Sequence, residues 1–201
     1  MKKGLLIFTA LVFLWITGTS FAGDAPHQVS VFKLNSNIAD VKDYVIMETA
    51  LPIRYMENIE EVEIKPIEGL KSGLIAYATC AAPGHIVRIK LKYKDASRKF
   101  YDKLLKQIKK KFGDPEEFTG DAFGIVLSWK WRFRDKDNNY ISLTLQHNKK
   151  NQEETMGNMV KLAMPERIEA ERNCFLTICE TEKIECPVSM MSDDWDHLIP
   201  K

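Results

Sequence analysis

Residues 125–148 read Ile125-Val126-Leu127-Ser128-Trp129-Lys130-Trp131-Arg132-Phe133-Arg134, then Asp135-Lys136-Asp137-Asn138-Asn139, then Tyr140-Ile141-Ser142-Leu143-Thr144-Leu145-Gln146-His147-Asn148. Both flanks alternate with a period of two, and the middle consists of residues that favour turns, so the stretch predicts a β-hairpin. One face carries Ile125, Leu127, Trp129, Trp131 and Phe133 with Ile141, Leu143 and Leu145. The other carries Val126, Ser128, Lys130, Arg132 and Arg134 with Tyr140, Ser142, Thr144 and Gln146. Such alternation marks an antiparallel sheet; strands of a doubly wound parallel sheet, covered on both faces, would be apolar throughout.

Working outward, residues 96–112 predict a helix. Phe100, Leu104, Ile108 and Phe112 recur at every fourth position, and Tyr101 and Leu105 widen the stripe. Asp95 or Ser97 caps its start, Lys109 to Lys111 suit its C-terminal dipole, and Gly113 followed by Pro115 ends it. Before the helix, residues 74–79 and 87–93 flank Ala81-Ala82-Pro83-Gly84 as an earlier hairpin, the first strand apolar on both parities. Residues 61–65 and 159–163 read as further strands. Ser36 or Asn37 is expected to cap a helix reaching about Glu48 through Ile38, Val41 and Val45. Pro165 reads as the first residue of a late helix reaching about Ile178. The expected fold is α+β: an antiparallel sheet of about five strands with helices packed mainly on one face.

The ends carry an address. Lys2 and Lys3, an apolar run over residues 5–16 and the small residues of Ser20-Phe21-Ala22 form the pattern of a cleaved secretory signal peptide. The run of about 12 residues falls short of the roughly 20 that span a bilayer. The expected organisation is a signal peptide over 1–22, a single α+β domain over 23–186 and an acidic, loosely ordered tail over 187–201, exported to the periplasm or the extracellular space. No later stretch is apolar enough to cross a membrane. The 29 Lys+Arg residues balance 28 Asp+Glu residues, which gives no reason to expect nucleic acid as a partner.

Export makes a disulfide framework the expected use of Cys80, Cys174, Cys179 and Cys186. Cys174 and Cys179 fall on the late helix, where five residues rise about 7.5 Å, beyond the usual reach of a disulfide. That favours Cys80–Cys174 with Cys179–Cys186. A zinc site built from Cys174, Cys179, Cys186 and His197 would lack the close C-x2-C pair of zinc ribbons.

Catalytic motifs are absent: there is no G-x-S-x-G, no H-E-x-x-H and no glycine-rich phosphate loop. Asp135-x-Asp137-x-Asn139 opens like a calcium-binding loop, but Tyr140 stands where glycine is required and Gln146 where glutamate should close it. Among the histidines, His27 and His197 lie near the ends, His85 adjoins a turn, and His147 has inward parity as a core-edge residue. No catalytic residue, metal or cofactor is assigned; an enzyme with a site unreadable from the sequence, using His147 or His85, is the least favoured alternative.

Charge is the feature that stands out. Residues 86–111 hold eleven basic and two acidic side chains. Arg88, Lys90, Lys92, Lys130, Arg132 and Arg134 are all expected on a helix-free sheet face, with Tyr140 beside them. Like charges gathered on one face repel unless something anionic meets them. The expected function is therefore a non-enzymatic binding module of the cell envelope, its partner an anionic envelope component or another envelope protein. A structural partner docking through a sheet edge is the alternative. A merely solvated face, or one covered by the acidic residues 180–201, is the plainest account of the same charges.

Overall fold

The computed structural model describes residues 24–54, 56–150 and 155–183 of the chain. The elements in order are β1 (Gln28–Val29), β2 (Phe32–Lys33), a 3₁₀ helix (Ile38–Tyr44), β3 (Val45–Ile53), β4 (Met56–Ile64), β5 (Leu70–Ala78), β6 (Ile86–Tyr93), α1 (Arg98–Phe112), β7 (Glu117–Gly120), β8 (Val126–Arg134), β9 (Tyr140–Asn148), β10 (Gly157–Ala163) and α2 (Pro165–Glu182). β1 and β2 form a small sheet, and the others form one antiparallel sheet in the order β3-β4-β5-β6-β10-β9-β8-β7. The segments expected to form a signal peptide and a tail, with Cys186 and His197, lie outside the described residues.

The hairpin at 126–148 forms in the expected register, with Trp131 opposite Leu143 and Phe133 opposite Ile141. Its turn is held by the Asp135 carboxylate, which accepts from the backbone N–H groups of Asp137 and Asn139 at 2.9 and 2.8 Å. Asn138 supplies the left-handed residue, φ 62°. The Trp131 indole N–H donates to the Gly113 carbonyl at 2.9 Å, joining the hairpin to the end of α1. Ser97 caps that helix and Gly113 ends it at φ 82°.

Two parts of the expected architecture are overturned. The main sheet has eight strands, not about five, and the protein is mostly β. The helix expected to reach Glu48 is the chief cause. Asn37 does cap, and Asp40 completes a capping box, but the helical segment stops at Tyr44 and Val41 inside it has non-helical angles (φ −119°, ψ 16°). From Val45 the chain is extended: β-branched Val45, Ile46 and Thr49 favour strand, and Pro52 is tolerated because β3 is an edge strand. The short β1, β2 and β7 carry too few residues to show a period.

The helices, moreover, lie on opposite faces. α1 buries Tyr101 and packs Leu104, Leu105, Ile108 and Phe112 into the main core with Trp131, Leu143, Leu145, Ile75 and Ile89. β2 and the residue after it add Phe32 and Leu34 to the same core. α2 crosses the reverse face, where Ile168 packs against Ile59, Ala76, Ala78 and Val87. Ala76 and Ala78 leave room for a helix to approach, which is why β5 reads as apolar on both parities.

Two contacts one turn apart fasten α2. Glu171, 1% exposed, accepts from the backbone N–H groups of Cys80, Ala81 and Ala82 at 2.7, 3.0 and 2.7 Å. Cys174 is disulfide-bonded to Cys80 as expected, with Cα atoms 6.0 Å apart. No described cysteine is free, while the second expected pair involves Cys186 and so lies outside the described residues. The 94-residue separation closes a long loop. Replacing both Cys80 and Cys174 by alanine is expected to lower stability by about 3 kcal/mol, read as a lower urea midpoint. An unchanged midpoint would show that the bond does not constrain the unfolded chain. Among the described residues, no helix is long and apolar enough to cross a membrane.

Candidate functional site

The register of the sheet orders the reverse face into rows. Beside α2 runs Glu61–Ala76–Arg88–Ala163–Ser142–Arg132. The next row is Glu63–Leu74–Lys90–Lys161–Thr144–Lys130–Glu117. The third is Ser72–Lys92–Met159–Gln146–Ser128–Thr119. Alternation thus places Arg88, Lys90, Lys92, Lys130, Arg132 and Arg134 on one face. That face is not helix-free, since α2 covers part of it. β6 and β8 are not neighbours either: β10 and β9 separate them, a distance of about 14 Å at the usual strand spacing.

Their charges are not equally available. Arg88 meets Glu61 at 2.8 Å, Lys130 meets Glu117 at 3.8 Å, Arg132 meets Glu117 at 2.7 Å and Glu116 at 3.3 Å, and Arg134 meets Glu166 of α2 at 2.6 Å. Tyr140 sits at the sheet end with the Arg134 guanidinium 5.2 Å over its ring. Its backbone N–H donates to the same Glu166. This flank is internally neutralised. Ser142, Thr144 and Gln146 are buried rather than displayed.

Lys90 and Lys92 differ, and with them a residue that the sequence did not single out. Lys161 of β10 lies directly opposite Lys90. No carboxylate among the described residues pairs with Lys90, Lys92 or Lys161 within 4.0 Å. Burial holds the Lys161 ammonium below its usual pKa, and Arg88, Lys90 and Lys130 push it the same way. Lys92 is lowered too, first by burial and then by Lys71 and Lys90. Like charges directly opposed on neighbouring strands destabilise a sheet. The signal for Lys161 was its position as the lone charge in 157–163, an otherwise apolar or small strand with one asparagine.

Above these residues is a polar cleft of about 370 Å³, lined by Glu61, Arg88, Lys90, Gln146, Met159 and Lys161 with Thr155. It adjoins a second hollow of about 450 Å³ on the same face, with Lys90, Thr155 and Met159 common to both. These volumes fall in the range of small-molecule sites.

The other candidates take structural places. His147 is buried and its Nδ1 lies 2.6 Å from Asn158 Oδ1. Asn158 Nδ2 donates to the Asp95 and Ser97 carbonyls at 2.7 and 3.0 Å, so its oxygen faces the imidazole and Nδ1 carries the hydrogen. The network fastens the start of α1. Burial beside it pushes the Tyr101 hydroxyl up to about 12. His85 Nδ1 lies 3.1 Å from the Asn35 carbonyl, and His27 lies 3.6 Å from Asp135. Among the described residues, no cluster of three or more His, Cys, Asp or Glu side chains could hold a metal.

Comparisons with protein-family models, with curated proteins and with solved structures return no match. The chemistry of the site therefore stands on its own geometry.

Proposed function

We propose that the chain is an exported, non-enzymatic binding module of the cell envelope that takes an anionic ligand in the cleft between Lys90 and Lys161. The opposed lysines carry this reading. Two cations face each other across neighbouring strands beside a third, Lys92, with no carboxylate partner among the described residues. A bound anion in the cleft relieves their repulsion.

The test uses protein recovered from the exported fraction, with an N-terminus expected at Gly23, titrated with inorganic phosphate and with acetate. Binding is expected to weaken as salt rises. It should be lost in Lys90→Glu/Lys161→Glu and kept in Arg132→Glu/Arg134→Glu. Equal affinity in the Lys90/Lys161 variant would remove the site, and an intact Met1 on the exported protein would remove the export assignment.

A second reading is docking of another protein at the β7 edge. It is favoured by Phe123, 88% exposed, and Phe118, half exposed and stacked on Trp129 with centroids 4.3 Å apart. Exposed aromatics beside an edge strand suit an apolar contact. It predicts a co-purifying protein that survives high salt and is lost with Phe123→Ser. Retention by that variant would count against the edge.

A further inference from the structure

The ligand class can be narrowed, on the assumption that the basic cleft binds an anion. The second hollow is not a continuation of the same chemistry. Its lining is largely apolar: Ile46 from the edge strand, Leu74 from β5, Met159 from β10, and Pro66 and Ile67 from the connection between β4 and β5, with the exposed Glu63 carboxylate standing between Ile46 and Leu74. Ile46, Ile67 and Leu74 are only half-buried, so this apolar surface borders open space on the face where the lysines emerge. Lys65, Lys71, Lys90 and Lys92 stand at its margin. Met159 lies opposite Lys92 and is two residues from Lys161 on the same side of β10. A largely apolar trough thus adjoins the cationic cleft, with Lys90, Thr155 and Met159 lining both.

A small hydrophilic anion would satisfy the lysines and leave the trough wet. An uncharged hydrocarbon would fill the trough and leave the lysines unpaired. We infer that the groove takes a single-chain amphiphile with an anionic head held between Lys90 and Lys161 and an alkyl tail that runs over Met159 and Leu74 toward Ile67, with Glu63 and Ile46 at its far side. Charge complementarity selects the head, and the apolar lining selects the tail. A carboxylate and a phosphate offer the lysines the same recognition chemistry, because an ammonium binds as a point charge without a preferred fork geometry.

The test is a calorimetric titration of the full exported protein with octanoate, decanoate and dodecanoate below their micelle concentrations, alongside decyl phosphate, decanol and inorganic phosphate. Burial of each methylene is expected to tighten Kd by about fourfold, so each two-carbon step should give at least a tenfold gain. Decanol should bind at least tenfold more weakly than decanoate. Ile46→Ser and Leu74→Ser, which add no charge, should each reduce the gain per two-carbon step; Ile46 lies on an edge strand outside both buried clusters. Tighter binding of decyl phosphate than decanoate assigns a phosphate head, and the reverse a carboxylate; either keeps the alkyl anion.

Affinity independent of chain length, or decanol equal to decanoate, overturns the amphiphile while the anion cleft stands if inorganic phosphate still binds. Failure of every probe removes the cleft as well. The two failures are therefore distinguishable.

Discussion

Glu171→Ala is expected to cost about 4 kcal/mol and to loosen α2 from the sheet. The carboxylate is buried and accepts from three successive backbone N–H groups, those of Cys80 and Ala81 on one oxygen and that of Ala82 on the other. Consecutive N–H groups turned to one point form a concave anion site. Hydrogen bonds to a charged group contribute about 1.5–3 kcal/mol each, and their removal leaves donors in a cramped loop. Water reaches this half-exposed loop in part, so three full contributions are not expected. Glu171→Gln tests the mechanism, because an amide keeps one acceptor oxygen but presents N–H groups to the remaining donor. It should cost about 1–2 kcal/mol, between wild type and alanine. Urea unfolding gives the order; equal, sub-1 kcal/mol losses for Gln and Ala would mean that the carboxylate does not hold the loop. The Cys80–Cys174 bond acts on the same loop. Removing both should therefore give a loss that departs from the sum of the two, since neighbouring restraints on one segment couple.

This double fastening adds to the apolar contact of Ile168 in holding α2 on the reverse face. It also marks what sequence reading could reach. The β8–β9 hairpin and α1 were legible because period and boundary signals agree: alternation with a turn of Asp and Asn, and a four-residue stripe with Ser97 and Gly113 at its ends. β3 was not, because Ile38, Val41 and Val45 satisfy a helical spacing over too few residues to exclude a 3₁₀ turn followed by a strand. Parity correctly assigned Arg88, Lys90 and Lys92 to the same face as Lys130, Arg132 and Arg134. Parity cannot report neighbours, however. That Lys161 lies opposite Lys90, and that Glu61, Glu116, Glu117 and Glu166 neutralise the arginines, depends on pairing between strands distant in the chain. His147 was legible as inward, while the Asn158 that fixes its tautomer was not, for the same reason.

The same nonlocal pairing makes opposite signs the expected result for Lys161→Met: a more stable protein that binds anions poorly. Methionine keeps the unbranched stem over Thr144 and removes a half-buried cation from the company of Arg88, Lys90 and Lys130. Relief of that repulsion should raise stability by about 1 kcal/mol, a Tm gain of about 2–4 °C for a chain of this size. The effect has a pH signature. Because the folded-state pKa of Lys161 lies below its usual 10.5, the unfolded chain binds more protons between the two values. Wild-type stability contributed by this group then rises with pH through that window, and the penalty is full below it. The advantage of Lys161→Met should accordingly be constant at neutral pH and shrink as pH approaches 10.5. Anion affinity should fall roughly thirtyfold, the size of one lost charge-assisted contact, while Lys161→Arg keeps the charge and most of the affinity. A methionine variant that is less stable, or that binds phosphate as wild type does, would mean Lys161 serves packing alone. A lysine that burdens the fold and has no partner among the described carboxylates is otherwise hard to account for, since sites where local rules are broken are where function is expected to reside.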